Sequence, residues 1–568
     1  MRTSPSRIVL AITFSPQKRT FVTKRSSAKS TTMSKPLTLA DITDGRSSEK
    51  TRLVTDCSPE DFADPFCQFM RENPTVWHVA DYFKKKLSER GFSELSERDD
   101  WVGKMKPGGK YYVVRNGSCL AAFTIGRAYR PGNGFAMVGS HIDVLTARLK
   151  PVSTLASKAG YLQLAVAPYS GTLGHTWWDR DLSIGGRVIV SERASPSPSS
   201  ATTTSVRLVN LDWPVAKIPT LAPHFGVGGF GDVNKETQAV PIIGLTGDSG
   251  GVASCEDEDE DEREKKEKKK SEKKPLGPEG SFVNDQPRRL VELVARQLGL
   301  KDPSSIVSWD LDLYDSQPAQ RSGLDREFIS SSRLDDQLCS WSAMVALLAA
   351  EDDEKAGHVR LVALFDNEEI GSLLRQGARS NFLPLLVERT IEALSSSSSS
   401  SSSSAPSPSS SSSPNNNNNN NNKASLLGQT YARSFLLSAD VTHAGNPNFL
   451  GHYLDKHVPR LNVGLAVKTN SNGHNTTDAV SDALLHRVAD LCGSKLQRFQ
   501  IRNDSRSGGT IGPALSSAMG VRSADAGIPQ LAMHSLREMT GALDPGLGVR
   551  FFKGFFDHWE KVDAEWEH

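Results

Sequence analysis

The segment LVALFDNEEIGS, residues 361–372, joins an apolar run directly to a cluster of polar side chains. The run has the length and composition of a strand that is covered on both faces, as in parallel α/β sheets. It ends in Asp366, Asn367, Glu368 and Glu369. Adjacent carboxylates beside a buried strand are costly unless a cation or hydrogen-bond donors compensate their charge. We therefore expect a partner opposite the two glutamates.

Other apolar segments of the chain end in the same kinds of residue. They are GSHID with His141 and Asp143, SRLDD with Asp335 and Asp336, LLSAD with Asp440, and LAMHS with His534. In open α/β sheets, ligands bind at the carboxyl ends of the strands. Five segment ends that carry His, Asp or Glu can therefore converge on one site.

This set of side chains predicts a metal centre. Two imidazoles and several carboxylates suit zinc, or a similar divalent ion such as manganese or cobalt. Five or six ligands exceed one tetrahedral site but fit two ions that share one carboxylate. Such a pair of ions lowers the pKa of a water molecule and polarises a carbonyl. One of the paired glutamates can bind metal, which leaves the other as a general base.

Each residue also has a purely structural interpretation. His141 or His534 taken alone is more often a hydrogen-bonded buried histidine than a ligand. Asp335 precedes an apolar helical pattern, where it would serve as an N-cap. Glu368 and Glu369 would suit the first turn of a helix, whose dipole favours acids. The coincidence of five such ends favours the metal hypothesis.

The order of predicted elements indicates an α/β protein. Strands such as CLAAFTIG alternate with helical patterns such as DDQLCSWSAMVALLAAE. Residues 152–325 differ, because short strands follow one another there without long helices, and we predict a β-rich domain inserted into the first. Low-complexity segments at 192–205, 255–274 and 395–422 are predicted to be solvated insertions in surface loops.

Charge and hydropathy give no reason to expect a nucleic-acid or membrane protein. Lys and Arg total 67 against 66 Asp and Glu, a net charge of +1, which gives no general reason to expect nucleic acid as a partner. We expect no membrane span, since the chain lacks an apolar stretch of the required length. Residues 1–50 are predicted to be a disordered basic tail or a targeting segment, with mitochondrial import as one option.

The sequence GDSGG, Gly247 to Gly251, imitates the nucleophile motif of serine proteases. Ser249 would need a histidine base and an orienting acid. The motif abuts an acidic block and lacks the strand-to-helix context that G-x-S-x-G requires. We interpret it as a flexible linker.

Longer motifs carry a resemblance to a known family. The segments are VGSHIDVLTARLKPVS, VAPYSGTLGHTWWDRDLSIGGRVIV, IPTLAPHFG, SRLDDQLCSWSAMVALL, FDNEEIGSLLRQGARS, LSADVTHAGNPNF, SRSGGTIGPAL and QLAMHSLREMTGALD. They resemble the aspartyl aminopeptidase family of dinuclear zinc peptidases, and most of all its fungal vacuolar aminopeptidase I branch. The resemblance spans the chain from about residue 58 to the C-terminus, apart from the low-complexity insertions.

The resemblance implies a role for each site residue. His141 and Asp440 would hold one zinc, Glu369 and His534 the other, and Asp335 would bridge both. Glu368 would be the general base, and Asp143 would orient His141. Substrate contacts would come from His443, Lys468 and His474, and from His224 of a neighbouring subunit.

The resemblance also implies the fold and assembly. An α/β/α peptidase domain, residues 51–151 and 326–568, would carry the inserted β-rich domain, residues 152–325, as its dimerisation domain. Dimers would build a hollow homo-dodecamer that admits only peptides, in the cytoplasm or the vacuole.

Substrate preference stays open at this stage. RLDD and NGH resemble the vacuolar branch, which favours neutral, leucine-like N-terminal residues, whereas Lys468 offers a cation for an acidic side chain. Aspartyl preference is therefore the alternative. A catalytically silent dodecameric scaffold is a further one, although Glu368 argues against it because a structural metal site needs no free base.

Overall fold

The computed structural model describes residues 57–193, 202–225, 233–246, 274–350, 353–399 and 416–566. The strands are β1 (Ser93–Glu94), β2 (Lys110–Arg115), β3 (Cys119–Ile125), β4 (Phe135–His141), β5 (Thr146–Thr154), β6 (Tyr161–Tyr169), β7 (Asp181–Arg193), β8 (Thr202–Lys217), β9 (Ile242–Leu245), β10 (Ile306–Asp315), β11 (Gln320–Ser322), β12 (Phe328–Ser331), β13 (Val359–Phe365), β14 (Phe435–Ala439), β15 (Thr442–His443), β16 (Ala466–Lys468), β17 (Gln497–Phe499), β18 (Arg522–Gly527), β19 (Pro529–Gln530) and β20 (Glu538–Gly541). The helices are α1 (Ala63–Glu72), α2 (Val76–Glu89), α3 (Arg288–Gln297), α4 (Leu334–Leu348), α5 (Phe382–Ser399), α6 (Asn416–Ala432), α7 (Ala479–Cys492), α8 (Ile511–Met519) and α9 (Asp544–Ala564).

A nine-stranded sheet forms the centre of the fold, in the order β1-β2-β3-β13-β4-β14-β18-β16-β17. Its four central strands, β13, β4, β14 and β18, are mutually parallel. Along β4, Ala136 and Val138 enter one apolar core and Phe135 and Met137 enter another. Because successive side chains of a strand point to opposite faces, the sheet is buried on both sides.

Helices cover the two faces of this sheet. Trp341 of α4 and Phe555 of α9 lie in the core on one face, together with Ala136 and Val138. Leu386 of α5 and Leu515 of α8 lie in the core on the other face. This is an α/β/α arrangement, and the α/β class predicted from the sequence is confirmed.

Six strands form a closed barrel, in the order β10-β5-β6-β9-β8-β7. Its separate apolar core includes Trp177, Leu311 and residues of α3 such as Val291. The barrel strands run from Thr146 to Asp315, so β5 begins before residue 152. The domain boundaries drawn from the sequence stay a prediction.

Two small sheets lie beside the central one. One has the order β11-β12-β20, and the other pairs β15 with β19. Both sheets include segments close to predicted site residues: β15 contains His443, and β20 begins at Glu538, just after His534 in the chain. Strands this short were not expected from the sequence, because two to four residues carry no readable periodicity.

Helices extend into the segment 395–422, which the sequence predicts to be a loop. Helix α5 continues to Ser399 and α6 begins at Asn416. Extending a formed helix by one residue is far cheaper than nucleating one, so a helix can run into a polar tract. The rest of this insertion, the tail 1–50, the segment 255–273 and Ser249 lie outside the described residues. Within the described part of the chain, no helix combines the length and apolar character needed to cross a bilayer.

Candidate active site

The carboxyl ends of the central parallel strands bring three predicted ligands together. His141 is the last residue of β4 and lies opposite Phe365, the last residue of β13. Glu369 follows β13 by four residues, and Asp440 directly follows β14, the other parallel neighbour of β4. The sheet order thus explains why these residues meet, since the ends of parallel strands share one edge.

Asp335 and His534 reach the site differently from the sequence expectation. Asp335 lies at the start of α4, where its backbone is still extended with φ of −81° and ψ of 111°, and not at the end of a strand of the central sheet. His534 lies in a turn between β19 and β20, with a positive φ of 63°. The segment LAMHS is therefore not a continuous strand. The predicted convergence still occurs, because these two segments pack against the edge of the sheet.

The Asp335 carboxylate lies between two imidazoles. Its Oδ1 is 3.2 Å from His141 Nε2, and its Oδ2 is 3.3 Å from His534 Nε2. Asp440 Oδ1 is 3.8 Å from His141 Nε2, and Glu369 Oε2 is 3.7 Å from His534 Nε2. Two sets of three ligand atoms result, each within 4.8 Å of one another: His141, Asp335 and Asp440, and Asp335, Glu369 and His534.

The donor set fits zinc. Each set holds one imidazole and two carboxylates, which are donors that zinc binds, and three protein ligands is the number usual at catalytic zinc sites. Glu369 Oε1 is buried and makes no hydrogen bond within the described residues. Burial raises the pKa of Glu369 well above its ordinary range, and the charge of Asp335 raises it further. A cation between these carboxylates would offset both costs.

Asp143 fixes the backbone that carries the two glutamates. Its Oδ1 accepts a hydrogen bond from the Glu368 N–H at 3.0 Å, and its Oδ2 accepts one from the Glu369 N–H at 3.1 Å. Tyr169 donates its hydroxyl proton to Oδ2 at 2.9 Å and accepts a bond from Asn367 Nδ2 at 3.0 Å. Asn367 has a φ of 65°, a left-handed conformation that asparagine tolerates better than most residues.

Asp143 also contacts His141. The His141 Nδ1 lies 3.1 Å from the Asp143 backbone oxygen and 3.3 Å from its Oδ1. When Nδ1–H donates to these oxygens, Nε2 is left as the metal-facing nitrogen. The orienting role predicted for Asp143 therefore has a geometric basis, and the same residue acts on both glutamates.

Glu368 lies beside both ligand sets without belonging to either. Its Oε2 is 3.9 Å from His141 Nε2, and the residue lines a cavity of about 390 Å³ together with Asp335 and Asp440. Burial raises the pKa of Glu368 to about 7, an effect that the His141 imidazole opposes. A carboxyl group with a pKa near neutrality can both accept and return a proton.

The predicted substrate-contacting residues divide into two groups. His443 and Lys468 line the cavity, whereas His474 does not and its neighbour Asn475 does. His224 lies in the exposed 3-10 turn Pro223–Phe225, stacked against Phe225 with 4.7 Å between ring centroids, and it is not part of the cavity lining. His224 therefore does not contact the active-site cavity of its own chain.

Glu538 is a site residue that the sequence analysis missed. It is buried, and its Oε2 accepts hydrogen bonds from the backbone N–H groups of Leu334 at 2.6 Å and Asp335 at 3.2 Å. Its Oε1 accepts a bond from the His534 N–H at 3.0 Å. One carboxylate thus holds the backbone of two ligand-bearing segments. A single glutamate after an apolar segment has no motif that would reveal this role.

Comparisons with known proteins point to one family. Residues 69–556 match the family described as Aminopeptidase I zinc metalloprotease (M18). Vacuolar aminopeptidase 1 of Saccharomyces cerevisiae is 40% identical over 526 residues, which cover 92% of this chain and 92% of the relative. Aspartyl aminopeptidase of Aspergillus oryzae is 38% identical over 509 residues, covering 88% of this chain and 96% of the relative.

Solved structures agree with this assignment. The structure of Chaetomium thermophilum mApe1 is 52% identical, with a TM-score of 0.75 over 90% of this chain and 100% of that chain. The structure of the Saccharomyces cerevisiae mApe1 dodecamer is 36% identical, with a TM-score of 0.70 over 89% of this chain and 98% of that chain. The resemblance found in the sequence motifs is confirmed, and with it the prediction of a zinc-dependent aminopeptidase. The chain belongs to the M18 family of aminopeptidase I zinc metalloproteases.

Proposed function

We propose that this chain releases N-terminal amino acids from peptides through a centre of two zinc ions and a glutamate base. The position of Asp335 carries the proposal, since each of its oxygens is within 3.3 Å of a different imidazole. A carboxylate between two histidines is suited to be shared by two ions, the arrangement of many two-metal hydrolases.

The two ligand sets give each ion its own residues. His141, Asp440 and Asp335 would hold one zinc, and Glu369, His534 and Asp335 the other. When bound, the ions would polarise the scissile carbonyl and lower the pKa of the attacking water. The grouping rests on ligand atoms that lie within 4.8 Å of one another.

Glu368 would handle the proton. It would remove the proton from the attacking water and return it to the leaving amine. Its position next to the cavity and its pKa of about 7 support both steps. Asp143 would be a positioning residue, because it holds the Glu368 and Glu369 backbone and faces His141 Nδ1.

Substrates would be peptides with a neutral, leucine-like N-terminal residue, and aspartyl or glutamyl N-termini are the alternative. The relatives include one protein for each of these two substrate preferences to be compared with, a vacuolar aminopeptidase 1 and an aspartyl aminopeptidase. His443 would contact substrate from the cavity wall. His474 would do so only if its side chain moves toward the cavity that Asn475 lines.

The assembly we propose is a dodecamer built from dimers, in which residues 152–325 form the dimerisation domain and residues 51–151 and 326–568 the catalytic domain. A structural relative is described as a dodecamer. Val206, Leu245 and Val307 of the barrel strands are exposed and would be covered if this domain pairs with a second subunit. His224 would then reach a neighbouring site. Sedimentation velocity tests the dodecamer.

The compartment we propose is the vacuole or the cytoplasm, in line with the vacuolar relative. Mitochondrial import has no support from the comparisons, and the basic N-terminal segment on which it was based lies outside the described residues. Subcellular fractionation with an antibody to the native protein distinguishes the compartments.

One assay tests the core of this proposal. Purified protein is given leucyl- and aspartyl-p-nitroanilide with and without a zinc chelator, and Glu368→Gln is measured beside the unaltered enzyme. We expect turnover that the chelator abolishes and that Glu368→Gln nearly eliminates while zinc content is retained. Equal turnover in both proteins would remove Glu368 from the mechanism.

A further inference from the structure

Lys468 lies at the carboxyl end of β16, where the strand borders the active-site cavity. The residue is only 6% exposed. A lysine at this position has two possible uses. It can pair with an acidic side chain of the substrate, or it can hold a neighbouring group of the enzyme. Its hydrogen bonds distinguish the two.

All three ammonium donors of Lys468 have acceptors within the protein. Nζ donates to the Asp440 carboxylate Oδ2 at 3.1 Å, to the Asp440 backbone oxygen at 3.1 Å and to the Val441 backbone oxygen at 3.4 Å. A lysine has three N–H donors and no acceptor. A substrate carboxylate could gain a bond to Lys468 only by displacing one of these acceptors.

These bonds fix the orientation of Asp440. With Oδ2 bonded to Lys468, Oδ1 is the oxygen that faces His141 Nε2, at 3.8 Å. The bond to the Asp440 backbone oxygen restrains the main chain at the same residue. Lys468 therefore does for Asp440 what Asp143 does for His141, in that it holds a ligand in the direction of the metal.

The rest of the cavity wall supplies little to attract an acidic side chain. Among the described residues that line it, Lys468 is the only lysine or arginine. Four carboxylates, of Asp335, Glu368, Glu369 and Asp440, also line the cavity, and the proposed zinc ions would offset their charge. Phe499, Ile501 and Met533 supply apolar surface. With Lys468 already bonded, an aspartyl side chain would find no lysine or arginine to pair with among these residues, whereas a leucyl side chain would find apolar contacts.

We infer that Lys468 is a positioning residue for the metal ligand Asp440 and does not read the substrate side chain, so that selectivity for neutral N-terminal residues comes from the cavity wall. This inference rests on the proposed two-zinc function of the same site. If the inference is right, replacing Lys468 changes zinc affinity and leaves substrate preference unchanged. If Lys468 instead bound the substrate side chain, its replacement would change substrate preference.

The test measures those two properties in Lys468→Met, which keeps the stem and removes all donors, and in Lys468→Gln, which keeps an N–H donor group. Zinc affinity is measured by competition with a chromogenic chelator. The ratio of kcat/KM for leucyl- and aspartyl-p-nitroanilide is measured at saturating zinc. Lys561→Met, at an exposed position of α9, is the matched control for loss of one positive charge.

We expect Lys468→Met to weaken zinc binding by about 10- to 100-fold, with Lys468→Gln between it and the unaltered enzyme. The leucyl-to-aspartyl ratio should stay within about threefold. Unchanged zinc affinity together with a selective rise in KM for the aspartyl substrate would overturn the inference. Circular dichroism verifies folding, and if the Met variant does not fold, the Gln variant alone decides by the same two readings. Failure of the proposed function looks different, because the unaltered enzyme would then hydrolyse neither substrate.

Discussion

Asp335 Oδ2 lies 3.3 Å from His534 Nε2, although the two residues belong to segments about 200 positions apart in the chain. The opposite oxygen of the same carboxylate faces His141. The two proposed zinc positions therefore depend on one side chain, and perturbing it should affect both.

Asp335→Asn should abolish binding of at least one zinc and reduce turnover by several orders of magnitude. The amide keeps the shape of the side chain but replaces one ligating oxygen by a group without a lone pair for metal. Zinc stoichiometry by atomic spectroscopy and turnover of leucyl-p-nitroanilide measure the two effects.

Asp336→Asn is the matched control for that substitution. Asp336 is the next residue, is buried, and accepts bonds from Ser140 Oγ at 2.5 Å and from the Val441 N–H at 3.2 Å. Asparagine can still accept one of these bonds through its amide oxygen, so full zinc content should remain. Loss of zinc in Asp336→Asn and its retention in Asp335→Asn would contradict the assignment of Asp335 as the shared ligand.

Glu368→Gln should lower turnover by about 100-fold or more, because positioned proton transfer contributes at least that factor. The same residue should set the acid limb of the pH profile. Burial raises the pKa of Glu368 to about 7, and only the deprotonated form can accept a proton. The kcat/KM value should therefore fall as pH drops through about 7, or through a lower value where bound cations stabilise the carboxylate.

The pH profile of the Glu368→Gln variant tests whether Glu368 is the group that titrates. The residual activity of this variant should lack the acid limb, while zinc content by spectroscopy stays that of the unaltered enzyme. An unchanged limb would assign the titration to a different group.

Zinc should stabilise the folded chain as well as activate it. A ligand that binds only the native state adds about 2.7 kcal/mol to the free energy of unfolding at a concentration 100 times its Kd. Chelator-treated protein should therefore unfold at a lower temperature, and readdition of zinc should restore both the Tm and the activity. Scanning calorimetry on both forms is the measurement, and coincident transitions would argue against resident metal.

Glu538→Gln should weaken the site without removing a ligand. The Glu538 carboxylate accepts bonds from the backbone N–H groups of Leu334, Asp335 and His534, and the amide can satisfy only part of them. Leaving a buried donor unsatisfied costs about 1–3 kcal/mol. Urea unfolding should register that loss, and zinc affinity should fall with it.

Glu565→Gln is the comparison for Glu538→Gln. Glu565 makes an ion pair with Arg487 at 2.7 Å, with both side chains at least one-third exposed. Exposed pairs of this kind contribute little to stability, because solvent and salt screen their charges. If Glu565→Gln lost as much stability as Glu538→Gln, the buried hydrogen bonds of Glu538 would not be the cause of the loss.

The sequence predicts the parts of the site that strand geometry controls. His141, Glu369 and Asp440 each stand at or just beyond the end of an apolar run, and β13, β4 and β14 are parallel neighbours. Once an α/β sheet is assumed, their convergence follows from the common edge. Asp335 and His534 were predicted by the same reasoning, but they reach the site from the start of a helix and from a turn, and not from strand ends.

The remaining features depend on contacts that no local pattern encodes. Glu538 contacts the backbone of Leu334 and Asp335, and Asn475 lines the cavity, only because segments distant in the chain pack there. Likewise, β13 lies between β3 and β4 although more than 200 residues separate it from both. Strand order of this kind is set by long-range packing, and periodicity along the chain says nothing about it.

Asp143 gives the neighbouring glutamates a common anchor, since its two oxygens hold their two N–H groups. The proposed metal ligand Glu369 and the proposed base Glu368 therefore depend on one carboxylate that takes neither role. A substitution at Asp143 should therefore impair both functions together. Substitutions elsewhere in the loop should be tolerated as long as the two hydrogen bonds from the Glu368 and Glu369 N–H groups are kept.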